Sequence, residues 1–142
     1  MYTIAIVDPN RLLREGVTML VEQLGHYRVA AAYENSKQLV VALKTSLLPD
    51  IVILDIKVPL VDGRTTAIWL KENYPQLKVV ALYLDVRYTE IERMRTGICA
   101  GWLRKTATPA EFECLFNTLM DVSPPGSSVR FPAWLKSLFK TR

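Results

Sequence analysis

One stretch of the sequence constrains the fold more than any other: PDIVILDIKVPLVDG, from Pro49 to Gly63. Its four consecutive aliphatic residues, 51–54, are typical of a short strand buried on both faces of a parallel sheet. The strand ends at Asp55, and the breaker Pro59 and the turn pair Asp62-Gly63 then lead the chain away from the sheet. Open α/β sheets bind ligands at the carboxyl ends of their strands, so the stretch predicts a carboxylate at a ligand-binding edge.

The same succession of an apolar run and an acid recurs along the chain. Residues 3–7 lead into Asp8 and Pro9, and residues 79–84 lead into Asp85. Two further strands are predicted, an edge strand at 27–33 and a short strand at 101–105. Apolar residues at helical spacing predict helices after the strands: 11–24, a helix capped by Asn35 or Ser36, 64–74, 88–96, and a last helix that starts at Pro109.

Strands that alternate with helices at short spacing predict an α/β fold. Because parallel strands need helical crossovers, five such units indicate a doubly wound, five-stranded parallel sheet of the flavodoxin-like (βα)5 type. The common strand order for five strands is 2-1-3-4-5. We expect one folded domain over residues 1–122, followed over 123–142 by a Pro/Gly/Ser linker and a basic amphipathic tail.

Charge and composition exclude several classes of protein. Of the 18 Lys and Arg residues, four lie after Ser128, which leaves 14 against 14 Asp and Glu in the preceding chain. The predicted domain is therefore neutral, and we expect no direct nucleic-acid binding by this chain. The two cysteines lack metal-type spacing and indicate a reducing compartment. Neither a signal peptide nor an apolar run of membrane-spanning length is present, so we expect a cytoplasmic protein without a membrane span.

Three side chains are expected to meet at one edge of the sheet. In the order 2-1-3-4-5 the first and third strands are neighbours, so Asp8 and Asp55 share a pocket, and Lys105 points into it from the end of the fifth strand. Two carboxylates offer the hard oxygens that Mg²⁺ prefers. A carboxylate flanked by a metal and a lysine can also attack a phosphoryl donor and form an aspartyl phosphate.

Five motifs in this order resemble one known family, the receiver domains of bacterial response regulators in the CheY-like superfamily. They are Val7-Asp8, Pro49-Asp50, the run 54–59, Asp62-Gly63 and residues 101–105. The triplet Arg14-Glu15-Gly16 is most similar to receivers of the NarL/FixJ/LuxR type. The resemblance covers approximately Thr3 to Leu119.

The resemblance implies a signalling domain rather than an enzyme, at most catalysing its own phosphorylation and dephosphorylation. Asp55 would be the phosphoacceptor for a histidine kinase, and Lys105 would hold a phosphoryl oxygen. Asp8, Asp55 and the backbone carbonyl of Lys57 would bind Mg²⁺. The output would be a shift of the face built from the fourth helix, the fifth strand and the fifth helix, through which the domain could also form a homodimer.

Three positions depart from the family pattern. Pro9 replaces the second of two adjacent acids, so we expect weaker Mg²⁺ binding. Tyr83 stands where the family usually has a small Thr or Ser, which makes the predicted switch atypical. Lys57 adds a cation beside the pocket and can partly replace the charge of the metal or compete with it. Trp102 occupies the position of an aromatic residue whose rotamer often reports activation in the family.

Alternative functions remain open at this point. A pseudo-receiver would keep the fold and bind a partner irrespective of phosphate. A phosphatase of the haloacid-dehalogenase type would need a second acid at the position of Lys57, and a flavin binder would need a phosphate-binding loop after the first strand, where the sequence has Asp8-Pro9-Asn10-Arg11. The 123–142 segment is too short for a complete LuxR-type DNA-binding domain, which needs several helices.

Overall fold

The computed structural model of the 142-residue chain describes residues 1–46, 48–57, 63–84 and 97–122. Five strands and four helices lie in these ranges, in the order β1 (Tyr2–Val7), α1 (Arg11–Glu22), β2 (Tyr27–Tyr33), α2 (Ser36–Thr45), β3 (Ile51–Asp55), α3 (Gly63–Asn73), β4 (Lys78–Tyr83), β5 (Gly101–Arg104) and α4 (Pro109–Met120). The predicted helix at 88–96 and the 123–142 segment lie outside the described residues.

The strands form one sheet in the order β2-β1-β3-β4-β5, and all four pairings are parallel. The predicted fold class and strand order are therefore confirmed. β3 is buried along its whole length, as its aliphatic run predicts, because it lies at the centre of the sheet. β2 is an edge strand, and its register shifts between Ile4 and Ala5 of β1.

The sheet separates two hydrophobic clusters. On one face α2 and α3 pack against alternate residues of β1, β3 and β4, with Leu39 and Leu70 fully buried. On the other face α1 and α4 cover the intervening residues, and Val21 and Phe116 are fully buried there. β1, β3 and β4 thus contribute to both cores, which explains why their apolar runs are continuous rather than alternating.

Local sequence signals set the ends of the helices. The side chain of Asn10 caps α1 by accepting a hydrogen bond from Leu13 N, and Thr108 caps α4 by accepting one from Glu111 N. α1 ends at Glu22, two residues before the predicted end, because Gln23 is the C-cap and the chain then turns at Gly25 with a φ of 81°. No helix in the described part of the chain is long and apolar enough to cross a bilayer.

The amino ends of the strands are tied together by Asp50. Its Oδ2 accepts hydrogen bonds from Thr3 N at 2.8 Å and from Thr3 Oγ1 at 3.3 Å. Its backbone N–H donates to Thr3 O, and its carbonyl accepts from Lys78 N. Asp50 therefore links β1, β3 and β4.

Candidate functional site

The carboxyl ends of β1 and β3 bring two aspartates together. Val7 pairs with Leu54, so Asp8 follows β1 at the level where Asp55 ends β3. Both are buried, with 0% of Asp8 and 3% of Asp55 exposed. The Lys105 Nζ atom, delivered from the end of β5, lies 2.9 Å from Asp8 Oδ2 and 3.0 Å from Asp55 Oδ2. The three side chains predicted to meet thus form one carboxylate–lysine–carboxylate triad.

The other carboxylate oxygens are held by backbone amides two residues along the chain. Asp8 Oδ1 accepts from Asn10 N at 2.8 Å, and Asp55 Oδ1 accepts from Lys57 N at 3.0 Å. These Asx-type contacts fix the rotation of both carboxylates. Each aspartate consequently directs its remaining oxygen at the Lys105 ammonium.

One of these oxygens is incompletely paired. Asp8 Oδ2 is buried, and its partner within the described residues is the Lys105 ammonium at 2.9 Å, which it shares with Asp55. Burial of a carboxylate costs free energy unless its charge is fully paired. Asp8 and Asp55 together therefore carry one negative charge more than Lys105 balances.

The electrostatics of the triad agree with this incomplete pairing. Burial raises the pKa of the Asp8 carboxyl, and the neighbouring Asp55 charge adds to the increase, against the lowering effects of the Asn10 amide and Lys105. Burial alone would lower the pKa of Lys105, but its hydrogen bonds and ion pairs with both aspartates outweigh burial and raise that pKa. The lysine is therefore held in its charged form by two carboxylates.

Gly63 and Arg14 support the pocket from the adjoining helices. A Cβ at Gly63 would lie 2.5 Å from Ile56 Cα and 2.6 Å from Asp55 O, so only glycine allows α3 to start against the end of β3. Gly63 N also donates to Ile56 O. Arg14 Nη1 donates to the Asp8 carbonyl at 2.8 Å. Sequence reasoning treated Gly63 as a turn residue and gave Arg14 no contact, because neither close approach is visible in a linear pattern.

The comparison with known families decides what kind of pocket this is. The family described as "Response regulator receiver domain" matches residues 4–113. The chain belongs to this family. This receiver domain is 29% identical over 138 residues to the transcriptional regulatory protein YdfI of Bacillus subtilis (strain 168), a match that covers 97% of this chain and 62% of YdfI. The chain spans about half of the response regulator GacA of Pseudomonas viridiflava, at 27% identity.

Solved structures show the same fold. The isolated REC domain of RcsB from Salmonella enterica serovar Typhimurium has a TM-score of 0.78 at 20% identity, with 98% of this chain and 99% of that chain covered. The signal receiver domain of the putative response regulator NarL from Mycobacterium tuberculosis has a TM-score of 0.75 at 21% identity, with 84% and 96% covered. These structures confirm the fold, and the family match above confirms that the chain is a response regulator receiver domain.

The atypical positions of the receiver domain lie around the triad. The backbone N–H of Lys57 donates a hydrogen bond to Asp55 Oδ1, and Lys57 is exposed. Pro9, between Asp8 and Asn10, is also exposed. Pro9 offers no side-chain oxygen, so the first strand contributes a single carboxylate. These placements agree with the sequence analysis but do not test the predicted effects on metal binding.

Tyr83 and Trp102 lie on the same face of the sheet, at diagonal positions of the adjacent strands β4 and β5. Trp102 pairs with Ala81, two residues before Tyr83, and residues two apart in a strand share a face. Both are half-buried, and Trp102 packs against the core cluster that includes Ala81 and Cys99. The Tyr83 carbonyl accepts from Lys105 N at 2.8 Å, so the proposed switch residue is joined through the backbone to the lysine of the triad.

The triad has the donor set expected of a magnesium site. Within the described residues no group of three or more His, Cys, Asp or Glu side chains is placed to hold a metal ion. Mg²⁺ does not require one, because it commonly binds one or two carboxylates together with water and phosphate oxygens. Two carboxylates and one ammonium carry a net charge of −1, and the incompletely paired Asp8 Oδ2 offers a ligand. These residues fit the ion.

Proposed function

We propose that Asp55 of this receiver domain accepts a phosphoryl group from a histidine kinase and that phosphorylation switches a partner-binding face. The observation that carries the proposal is the shared contact of Asp8 and Asp55 with the Lys105 ammonium, at 2.9 and 3.0 Å. The arrangement concentrates a nucleophilic carboxylate, a cation for a phosphoryl oxygen and a second carboxylate within one pocket.

The reaction is a transfer between two nucleophiles. A carboxylate oxygen of Asp55 attacks phosphorus, a P–O bond forms, and the P–N bond of the kinase phosphohistidine breaks with its electron pair retained by the imidazole. Lys57 N holds the second Asp55 oxygen at 3.0 Å and so orients the carboxylate. Lys105 turns its charge from the carboxylates to a phosphoryl oxygen, which offsets the negative charge brought by the donor.

Asp8, Asp55 and the Lys57 carbonyl would hold Mg²⁺. The ion supplies positive charge to the phosphoryl oxygens during transfer. Because Pro9 provides no second acid beside Asp8, we expect the affinity for Mg²⁺ to be lower than in a receiver with two adjacent acids. The exposed cation of Lys57 would partly replace the charge of the ion or compete with it.

The switch proposed for this domain involves Tyr83 and Trp102. Tyr83 cannot make the short inward movement of a small hydroxyl residue, because its ring must be displaced as a whole. Its backbone contact with Lys105 and its position beside Trp102 favour a coupled movement of the β4 and β5 ends. This end of the sheet would belong to the partner-binding or homodimer face, and the domain would act in the cytoplasm, where histidine kinases present their phosphoryl groups.

Mass spectrometry of the intact chain after incubation with acetyl phosphate and Mg²⁺ tests the proposal. We expect a mass gain of one phosphoryl group in the wild type and none in Asp55→Asn. Asp121→Asn is a matched control, because Asp121 is the left-handed C-cap residue of α4 with a φ of 54°, a conformation that asparagine tolerates well. This variant should gain the same mass as the wild type.

The alternative function, a pseudo-receiver, makes the opposite prediction. Pro9 and Tyr83 favour it, since both depart from the residues that support metal binding and switching in the family. Absence of any phosphoryl adduct in the wild type, together with unchanged Trp102 fluorescence on addition of beryllofluoride and Mg²⁺, would replace the phosphoacceptor proposal by this one. A mass gain that persists in Asp55→Asn would show that another residue accepts the phosphoryl group.

A further inference from the structure

A groove open to solvent lies between α2 and the edge strand β2. Its volume is about 530 Å³, and Thr3, Arg28 and Ser46 among its lining residues place it towards the amino ends of the strands. The rest of the lining is mainly small or aliphatic and includes Ala5, Ala30, Ala31, Leu39, Ala42 and Leu43. Because alanine side chains are small, the described domain leaves the space between this helix and this strand unfilled. We call this space the α2–β2 groove.

The edge strand favours the insertion of side chains over the addition of a further strand. Ile4 pairs with Val29 and Ala5 pairs with Ala31, so Ala30 has no partner in the register of β1 and β2. An extra residue of this kind is a β-bulge, and a bulge at a sheet edge opposes pairing with another strand. We therefore expect an occupant of the groove to bury side chains in it rather than to extend the sheet.

The sequence of the basic amphipathic tail supplies such side chains. Its large apolar residues follow the i, i+3, i+4, i+7 spacing of a helix stripe: Phe131, Trp134, Leu135, Leu138 and Phe139. Pro132 is suited to the first position of a helix, and Lys136 and Lys140 fall on the side opposite the apolar stripe. A helix of this length is marginal in water by itself, so its stability depends on packing against a surface.

The described domain ends at the same end of the sheet as the groove. Val122 N donates to the Asn117 carbonyl beyond the end of α4. Asn117 Oδ1 accepts from the Tyr27 hydroxyl at 2.6 Å, and Tyr27 is the first residue of β2. When extended, residues 123–130 span about 25 Å, which exceeds the ~20 Å across one helix layer and one sheet layer. The tail can therefore reach the α2–β2 groove past the amino end of β2.

The opposite face of β2 offers the tail a less suitable surface. A depression of about 440 Å³ lies there between α1 and β2. Most of its lining is charged or polar: Arg11, Arg14, Glu15 and Thr18. In the described part of the chain, the lining of the α2–β2 groove has one charged side chain, that of Arg28, which is exposed. Burial of apolar side chains therefore favours the α2–β2 groove.

We propose that residues 131–140 dock as a short helix in the α2–β2 groove of the same chain, with Trp134 and Leu138 inserted between α2 and β2. These two side chains lie one helical turn apart, so they enter the groove together. The linker holds the tail near the groove at an effective concentration of about 1 mM, so a weak intrinsic affinity is sufficient. The contact lies towards the amino ends of the strands, whereas the triad lies at their carboxyl ends, so docking does not depend on phosphoryl transfer.

Fluorine NMR of the 142-residue chain tests the docking through Trp134. The chain has three tryptophans, so labelling with 5-fluorotryptophan gives three resonances, and the one missing from Trp134→Phe belongs to Trp134. A soluble gadolinium chelate broadens the resonances of solvent-exposed rings. We expect the chelate to broaden the Trp134 resonance several-fold less in the native chain than in the same chain in urea.

Substitutions in the groove should release the tail. Ala42→Gln places a longer polar side chain on the helix wall of the groove, and Ala30→Gln places one on the strand wall. We expect each variant to lower the ratio of docked to free tail by about tenfold, and the chelate then broadens the Trp134 resonance more strongly. The two variants alter different elements, so a local defect in one of them does not decide the result. Met19→Gln, at a residue of α1 that is 66% exposed, is the control and should change nothing.

Hydrogen exchange locates the contact on the domain. Trp134→Gln should speed amide exchange at residues 42–46, where α2 ends beside the groove, and should leave exchange in α1 unchanged. In the wild type, the protection of residues 42–46 should be the same from about 50 μM to about 1 mM protein, because docking within one chain is independent of concentration whereas association between copies is not.

The docking is excluded by any of three results. A Trp134 ring that is as accessible to the chelate in the native chain as in urea would show that the tail is not bound to the domain. A Trp134 resonance that responds to Met19→Gln but to neither groove variant would place the tail on the α1 side of β2. Loss of the protection on dilution would assign the groove to the tail of a second copy.

Discussion

Aspartates lie at both ends of the parallel strands. The amino ends, called the amino edge here, and the carboxyl ends, called the carboxyl edge, give the aspartates different partners. At the amino edge, Asp50 accepts two hydrogen bonds from Thr3 through one carboxylate oxygen, and its backbone joins β1, β3 and β4. At the carboxyl edge, Asp8 and Asp55 share the single ammonium of Lys105, which is the partner of Asp8 Oδ2 within the described residues. At the amino edge the carboxylate is paired within the fold. At the carboxyl edge two carboxylates share one ammonium, which leaves one negative charge unbalanced.

The difference follows from what each carboxylate can reach. Asp50 precedes β3 and meets the N–H of a neighbouring strand that starts beside it, which supplies a donor at no extra cost. Asp8 and Asp55 follow their strands, where the only cation within contact of both is a single lysine from β5 in the described structure. We therefore expect substitutions at the amino edge to affect stability alone, and substitutions at the carboxyl edge to make stability depend on metal and pH.

Lys105→Met should have the largest effect. It leaves two buried carboxylates facing each other without a cation, and removal of one partner from a buried ion pair costs about 3 kcal/mol. The raised pKa of Lys105 means that its stabilising effect is complete below its ordinary pKa of 10.5 and is lost as the pH rises through the higher folded value. Urea denaturation at pH 7 measures the loss.

The responses of Lys105→Met to Mg²⁺ and to acid distinguish its loss of stability from a general packing defect. Millimolar Mg²⁺ should recover much of the stability of Lys105→Met, because the ion takes the place of the ammonium between Asp8 and Asp55. Acidification should also reduce the loss, since one carboxylate can then bind a proton. Lys78→Met, at the amino end of β4, is the control and should respond to neither. Equal responses of the two variants would contradict the proposed contrast between the edges.

Asp50→Ala should be the second largest effect. It removes the acceptor of the two Thr3 hydrogen bonds at a half-buried position, and we expect a loss of about 2 kcal/mol. Asp50→Asn keeps one acceptor oxygen and should lose less. Urea denaturation with and without Mg²⁺ is the measurement. The difference in unfolding free energy between each variant and wild type should be the same with and without the ion. A strong effect of Mg²⁺ on Asp50→Ala would mean that this edge also binds metal.

The sequence predicted the framework better than the contacts at the pocket. Continuous aliphatic runs, the cap at Asn35 and the helix start at Pro109 depend on neighbours in the chain, so the strands and these helix ends can be predicted from local sequence. The meeting of Asp8, Asp55 and Lys105 was also predictable, because strand order determines which ends are adjacent.

Other features of the pocket depend on distances that no local pattern encodes. The Arg14 contact with the Asp8 carbonyl spans a helix turn and a strand end, and the approach of Gly63 to Asp55 requires the start of α3 to lie against β3. The incomplete pairing of Asp8 Oδ2 emerges only when every nearby donor has been placed. The roles of Tyr83 and Trp102 in switching stay predictions, since their positions are known but their movement is not.

Asp8→Asn should have the smallest of these effects, and its sign is the reverse of the others. The folded state raises the pKa of Asp8, chiefly through burial, so the ionised form is disfavoured in the folded protein. Asparagine has the same shape, can keep the contact with Asn10 N, and removes the charge. We expect the variant to be more stable than wild type by about 1 kcal/mol at pH 7, in the absence of Mg²⁺.

The pH dependence of the stability difference between Asp8→Asn and wild type is the most specific test of this prediction. A carboxyl whose folded pKa is raised binds protons more tightly in the folded state, so its destabilising effect is absent below its ordinary pKa of 3.8 and develops as the pH rises through the folded value. The stability advantage of Asp8→Asn should therefore shrink on acidification, and Mg²⁺ should reverse it at pH 7 by binding the wild-type carboxylate. A variant that is less stable than wild type at pH 7 without Mg²⁺ would show that Lys105 already satisfies Asp8, and the carboxyl edge would then resemble the amino edge.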